Sequence, residues 1–583
     1  MSKNVNHHAQ LSLPRKNHLA KSFALVITLA QMPVLSFAAP PDAGIIVPNL
    51  ERQGIPSIKR EETAPAQSKP EEKAEPAMAD LRLESPIARI EQPSSLASPE
   101  ITALLSKFVG MAQIPGHELD QARGQVWNWY RQHGRMTRVE LQAVSQSESA
   151  GGSLLRVHIY EIKIRTIKVE QEGSTDIRQD LLDNILASAQ SDIEASSALD
   201  LDNLDSRIKR RLFLKDVNVR ATLVPIGQDE VDVKILVRAK PLEPLGFLAQ
   251  YDNYGIRAFG RNRYTAGISI PGRMLAGDQL DVLGIRTSGM TYGRLAYEFP
   301  LVGLGARMNV WAAGVDYEAS SGIHGHFLQA GTGLIYPLHI SNSSVWLGYL
   351  NYSNRQEVTR LDDDTRVADK SSNSLQGKVD ASYYLSPTQS LYFNAGLTLG
   401  KLDLSDLPSA KQQDRISART DGGYTKLEWG AGWNSLLGKA KKLDFRLGVK
   451  GQFADKNLDQ SEKLALGGPT GVRAYGPVEA LGDDGYVATA EIGYRPTEWL
   501  RAYSFYDIGH IRRFHDAWAT DSIPQSYYLK GAGAGISCTY KSLVGSLVYA
   551  HQIDDNPGLF AGGVDSEGER SRDRLWLSLT LLM

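Results

Sequence analysis

The sequence offers several residue groupings that could do chemistry, and most of them fail on spacing. No G-x-S-x-G nucleophile elbow, phosphate-cradling P-loop or H-E-x-x-H zinc helix occurs. His324 and His326 flank a single glycine, but two imidazoles need further ligands to hold a metal, and the sequence does not single them out, so the pair reads as a solvated loop or strand end. The stretch "RLDDDTR", Arg360 to Arg366, carries oxygen ligands of the kind that bind hard cations, yet it reads as a hydrated loop. Gly531-Ala532-Gly533-Ala534-Gly535 has the look of a phosphate-binding run, but no helix follows to point its N–H groups at a phosphate. Cys538 is the one cysteine, so neither a disulfide framework nor a cysteine-rich metal cluster can form within the chain. The expectation is therefore a protein with no catalytic residues, no cofactor and no metal site.

Two other stretches carry charge in unusual company. "GGPTGVRAYGPVEALGDDGY", Gly467 to Tyr486, is rich in glycine and holds Arg473 between Val472 and Ala474, with Tyr475 two residues on. "RAYSFYDIGH", Arg501 to His510, alternates with a period of two, which puts Tyr503, Phe505, Asp507 and Gly509 on one face of a strand. A carboxylate facing lipid is costly, so in a membrane barrel Asp507 belongs on the lumenal face. A loop with a lone cation thus lies about one hairpin from a wall with a lone anion. Such a loop has the freedom to fold inward and be pinned.

The rest of the chain shows what would position these residues. Lys plus Arg number 64 and Asp plus Glu 66, a balance that argues against a nucleic-acid partner. Arg15, Lys16 and Lys21 precede an apolar run from Phe23 to Phe37, and Ser36-Phe37-Ala38 fits a signal-peptidase site, so residues 1–38 read as an export signal. Residues 39–80 are dominated by Pro, Ala, Glu and Lys and read as an N-terminal segment and flexible linker. From 81 to 240 an order of strand, helix, helix, strand, strand recurs at a period of roughly 80 residues. This predicts two small α+β modules, 81–164 and 165–240. In the first, Ser98 is an N-cap, Pro99 fits the first helical position, and Ile101, Leu104, Leu105 and Phe108 share a face. In the second, Leu181, Ile185 and Leu186 and then Leu204, Ile208 and Leu212 mark two helices. Val217, Val219, Ala221 and Leu223 alternate with polar neighbours, as do Val231, Val233, Ile235 and Val237, and together they predict a hairpin.

From 241 to 583 the helical period is gone. Leu391, Phe393, Ala395, Leu397 and Leu399 alternate with Tyr392, Asn394, Gly396 and Thr398, and Leu427/Trp429/Ala431/Trp433 and Leu443/Phe445/Leu447/Val449 repeat the theme. Alternation on this scale predicts a transmembrane β-barrel with a lipid face and a polar lumen, of about 16 antiparallel strands.

Residues Val472-Arg473-Ala474-Tyr475 resemble the V-R-G-Y/F loop motif, and Phe505-Tyr506-Asp507-Ile508-Gly509 the F/G-x-D-x-G strand motif, of the two-partner secretion transporters. These haemolysin and filamentous-haemagglutinin secretion/activation proteins are related to the barrel-assembly insertases. The resemblance covers nearly the whole mature chain. It implies two polypeptide-transport-associated (POTRA) modules in the periplasm and an outer-membrane barrel in which Arg473 pairs with Asp507. It also implies a large secreted partner with an N-terminal secretion domain, a lipid environment, a monomer, and export without nucleotide hydrolysis. Exposed edges of Val217–Leu223 or Val231–Val237 would bind the client by strand addition. "DNYGIRAFGRNR", Asp252 to Arg263, resembles the entry strand of the barrel. Three features depart from the family. Ala474 stands where glycine is usual, which would strain a left-handed backbone. Pro48 interrupts the region of the plug helix, and the chain ends on Met583 rather than an aromatic. The alternatives are an insertase, which carries more such modules, and a solute porin or receptor, which needs none.

Overall fold

A computed structural model describes residues 80–583 apart from 94–96, 134–136, 146–151, 162, 172–216, 227–229, 240–243 and the loop positions 273, 276, 302–304, 321, 342, 439, 519–522 and 561. The export signal, the linker with Pro48 and both helices expected between Leu181 and Leu212 lie outside the described residues.

The first α+β unit contains β1 (Ile87–Glu91), α1 (Pro99–Leu105), α2 (Gly116–Gln132), β2 (Thr137–Val144) and β3 (Ser153–Glu161). Ser98 caps α1 by accepting the Glu100 N–H, with Pro99 behind it where no amide hydrogen is needed. Ile101, Leu105, Phe108, Val126 and Leu155 are fully enclosed between the two helices and the sheet. In that sheet β3 is central, parallel to β1 and antiparallel to β2. The second unit repeats the strand plan: β4 (Lys163–Gln171) runs parallel to β6 (Glu230–Ala239), which pairs antiparallel with β5 (Val217–Pro225). The repeat read from the sequence thus reappears as one strand order used twice. It also corrects the reading of the hairpin. Both edges of β6 are already hydrogen-bonded, so Val231, Val233, Ile235 and Val237 lie on a strand that cannot accept another. Among the described residues the unpaired edges belong to β4 and to β5, the strand of Val217, Val219, Ala221 and Leu223.

The remaining strands close into one antiparallel barrel of 16. In chain order they are β7 (Gly246–Asp252), β8 (Arg263–Pro271), β9 (Gln279–Arg286), β10 (Met290–Leu301), β11 (Ala306–Ala319), β12 (Ile323–Ile340), β13 (Ser344–Leu361), β14 (Arg366–Ser386), β15 (Gln389–Asp403), β16 (Gly422–Leu437), β17 (Leu443–Ala454), β18 (Asp484–Tyr494), β19 (Leu500–Arg512), β20 (Ser526–Tyr540), β21 (Leu543–Gln552) and β22 (Asp573–Leu582). The period-2 pattern sorts side chains as expected: Phe393, Leu397 and Leu399 are outward and exposed, while Thr398 between them is buried. The Gly531–Gly535 run is strand, and "RLDDDTR" is the tip joining β13 to β14. Antiparallel alternation gathers every second connection at one end of the barrel, including 404–421, 455–483, 513–525 and 553–572. The lumen is less polar than the pattern implies. Ile285, Tyr292, Val315, Tyr317 and Phe327 point inward and pack on Phe259 and on Val478 of the 455–483 connection, because that connection lies inside the bore.

The barrel closes where β22 meets β7, in a ladder of five residue pairs from Ser578↔Asp252 to Leu582↔Leu248. Phe247 and Met583 exchange both backbone hydrogen bonds beyond it (2.8 and 2.9 Å), so the terminal methionine serves the seam through its main chain. At the other end the segment likened to an entry strand departs from that form. The entry strand is β7, and residues 253–262 turn back through a 3-10 segment, Arg257–Phe259, after Asp252 accepts the Tyr254 N–H. Asn253 extends the seam with its side chain, donating to Leu575 O and accepting from Leu577 N, both at 2.8 Å. Asn253→Ala removes two hydrogen bonds and should lower barrel stability by about 1–2 kcal/mol. A heat-modifiability midpoint equal to that of wild type would show that the backbone ladder alone holds the seam.

Candidate functional site

The 455–483 connection leaves β17, crosses the bore and returns to β18. It is longer than the Gly467–Tyr486 stretch suggests, and Tyr486 itself belongs to β18. A two-residue ladder, Leu464↔Gly482 and Ala465↔Leu481, joins its arms below the tip. Gly468 adopts φ 101°, which turns the chain there at no steric cost. Among the described non-glycine residues of this loop, the left-handed one is Ala480 (φ 57°). Ala474 does not take a positive φ, so the strain anticipated at that position does not arise.

Arg473 ends up against the wall at Asp507. Its Nε donates to Asp507 Oδ2 at 2.8 Å and its Nη2 to Oδ1 at 2.7 Å, the two-pronged geometry that a planar guanidinium offers a carboxylate. The Arg473 backbone N–H reaches the same Oδ2 at 3.1 Å. Thr489 Oγ1 donates to Asp507 Oδ1 at 2.6 Å and accepts from Arg473 Nη2 at 2.8 Å. The guanidinium carbon lies 3.5 Å from the centre of the Phe505 ring, a cation–π contact. Burial opposes the Arg473 charge, but Asp507 and Glu491 outweigh it and hold the guanidinium protonated more firmly than usual.

Each neighbouring motif residue has a steric task. A side chain on Gly509 would stand 3.1 Å from Leu466 and Val472, so its absence admits the apolar shoulder of the loop. Tyr475 is enclosed and donates its hydroxyl to Lys530 O at 3.3 Å. Ala474 sits over Gly531, the residue directly opposite Asp507 on β20. A Cβ at Gly531 would lie 2.7 Å from the Ala474 methyl.

Residues that the motifs did not reveal complete the site. Glu491 takes Arg473 Nη1 at 2.6 Å and passes the charge on to Arg501, at 2.9 Å. Arg501 binds Asp444 through both Nε and Nη2, and Arg495 and Arg446 approach the same carboxylate at 3.0 and 3.4 Å. Trp576 on β22 donates its indole N–H to the Arg473 carbonyl at 2.7 Å. Beyond the tip, Glu479 accepts from Asn556 and from the Ser566 N–H, and burial pushes its carboxyl above the usual range. Nearby, Glu567 and Glu569 bind Arg261 and Arg574, joining connection 553–572 to connection 253–262 over the seam. Lumenal parity alone would have flagged Glu491, which shares a face of β18 with Thr489. No local pattern marks Trp576 or Asn556.

A closed 16-stranded barrel whose bore is occupied by a loop fixed to its wall defines an outer-membrane β-barrel transporter. Comparison with known proteins agrees. A model of the haemolysin secretion/activation proteins ShlB/FhaC/HecB matches residues 317–538. The heme/hemopexin transporter protein HuxB of Haemophilus influenzae is 23% identical over 463 residues, which is 76% of this chain and 78% of that protein. The fold is shared with CdiB from Escherichia coli (TM-score 0.56, 16% identity, 89% of this chain and 94% of that one). It is shared also with CdiB from Acinetobacter baumannii (TM-score 0.55, 16% identity, 98% and 100%). By these similarities the chain resembles the haemolysin secretion/activation proteins over residues 317–538 and is a two-partner secretion transporter of the bacterial outer membrane.

Arg473 is 10% exposed and Asp507 not at all, so Arg473→Ala strands a buried carboxylate at a cost of about 3–5 kcal/mol, whereas Asp507→Ala leaves the guanidinium paired with Glu491 and should cost less. In a cycle of Arg473→Ala, Asp507→Ala and the double variant, read by barrel melting, the double should be little worse than Arg473→Ala, and strictly additive losses would show two independent residues. Arg473→Lys should restore only part of the loss, since an ammonium cannot fork. Gly531→Ala should destabilise by about 1–3 kcal/mol through overpacking. Adding Ala474→Gly should recover most of that loss, whereas no recovery would place the clash elsewhere.

Proposed function

We propose that the chain captures an unfolded secreted partner in the periplasm through its two N-terminal modules, read as POTRA domains, and exports it through the barrel once the 455–483 loop withdraws. The observation that carries this reading is the loop tip held inside the bore by Arg473 and Asp507. A pore obstructed by a part of itself conducts only after a conformational change, and a tip held by a few contacts can exchange them for contacts with a passing chain. The partner is a large exoprotein whose N-terminal secretion domain is read by the modules. The free edge of β5, with Val217, Val219, Ala221 and Leu223, supports capture by strand addition, in which backbone hydrogen bonds give affinity without demanding one sequence. The transporter works as a monomer in outer-membrane lipid, and no step consumes a nucleotide. Folding of the client outside gives the movement its direction. Residues 1–38 act as the export signal, 39–80 as the linker, 81–164 and 165–240 as the two modules, and 241–583 as the barrel.

Deleting Leu81 to Ala239 should leave a heat-modifiable barrel in the outer membrane while the client accumulates in the periplasm. Normal secretion by that variant would refute capture by the modules. If the deletion instead depleted other outer-membrane barrels while secretion of the client continued, the chain would be an insertase.

A further inference from the structure

The inward loop touches the wall at a second place, far around the barrel from Arg473. Where the chain leaves β17, Asp459 caps a 3-10 turn, Gln460–Glu462, by accepting the Ser461 N–H. The turn presents Asp459 and Glu462 to the wall. Glu462 forms ion pairs with Arg355 on β13 and, at 2.9 Å, with Lys426 on β16. Asp459 receives Lys370 of β14 at 3.1 Å. All five side chains are at most 13% exposed. Burial disfavours the Glu462 charge, yet Lys426 and Arg355 hold its carboxyl down at about 2.

These partners stand on the seventh, eighth and tenth strands of the barrel, whereas Glu491, Asp507 and Trp576 stand on the twelfth, thirteenth and sixteenth. The loop is therefore tied to two separated stretches of wall and spans the bore between them. The same arm reaches two neighbouring connections. Asn457 Nδ2 donates to Ala418 O and to Asp516 O, both at 2.9 Å, and its Oδ1 accepts the Asp516 N–H at 2.8 Å. Lys456 donates to Asp421 O at 2.9 Å. Lys463 ties the outgoing arm to the returning one through Asp483, at 2.6 Å.

We propose that Asp459 and Glu462, held by Arg355, Lys370 and Lys426, form a second fastening that keeps the loop in the bore after the Arg473 tip has let go. The pore opens only when both are undone. Because Asn457 and Lys456 sit at the root of this arm, its departure also unties connections 404–421 and 513–525 at the mouth. Asp459 and Glu462 act as positioning residues: they hold the loop that obstructs the path. This inference rests on the reading of the chain as a gated transporter. It is tested without a client, so its failure and a failure of secretion are distinguishable.

The test is planar-bilayer recording of the full-length protein, with heat-modifiability as the check that each variant is folded. Asp459→Asn/Glu462→Gln should open at least about tenfold more often than wild type, since each substitution removes a loop carboxylate from a buried wall cation. Combined with Arg473→Ala it should open more often than Arg473→Ala alone. Lys370→Arg/Lys426→Arg, which keeps both charges, should record as wild type. If the loop variant fails to insert, Lys370→Gln/Lys426→Gln carries the same test from the wall side. Traces indistinguishable from wild type would overturn the proposal. So would a combined variant no more open than Arg473→Ala, or Lys→Arg changes as disruptive as Lys→Gln.

Discussion

A guanidinium enclosed in a barrel must have its charge matched, and much of the loop's placement follows from that requirement. Unpaired, Arg473 would cost several kcal/mol to hold out of water. Its bonds to Asp507, Glu491 and Thr489 and its contact with Phe505 satisfy both charge and geometry. The requirement then spreads along the wall. Glu491 is shared with Arg501, Arg501 with Asp444, and Asp444 with Arg495 and Arg446, so four arginines interleave with three carboxylates on β17, β18 and β19, the turn after β18 and the loop tip. No member of such a network can be removed without leaving another short of a partner.

Charge alone would not bring the loop close enough. Gly509 and Gly531 are the places where the wall gives up side chains so that Val472, Leu466 and Ala474 can approach. The wall is a strand surface on one side and a socket on the other, and it is the socket that demands glycine. Ala474 shows how a departure from the family motif is absorbed. The backbone there is not left-handed, and the added methyl is housed by a glycine on the facing strand.

Under the proposed gating, an obstruction that leaves its site needs modest, exchangeable contacts rather than covalent or metal bonds. Here the contacts are ion pairs and hydrogen bonds, individually of a few kcal/mol or less, made at several points of one loop. Other connections gather on that loop. Asn556 and Ser566 hold Glu479, while Ala418 and Asp516 are held by Asn457. Under the proposed gating, a client that disturbs the tip acts on an element to which the mouth of the barrel is also tied.

The sequence by itself determined the barrel, the strand order repeated in the N-terminal units and the pairing candidates, because each leaves a local trace. A lipid-facing strand must alternate, a helix must carry its apolar stripe, and a lone arginine among glycines stands out beside a strand with one inward carboxylate. The tertiary structure decided what depends on which strands become neighbours. That β6 is central and β5 an edge follows from a parallel pairing with β4 across a long intervening segment, to which hairpin spacing is blind. That residues 253–262 form a turn rather than a strand depends on Asp252, which caps the Tyr254 N–H while also binding Arg263 across the strand pair. The partners of Asp459 and Glu462 lie some ninety to over a hundred positions away for Lys370 and Arg355, and those of Arg473 include Trp576 on the last strand. Barrel closure brings such residues together. Their separation is set by the curvature of the whole sheet, a property that no short stretch of chain carries.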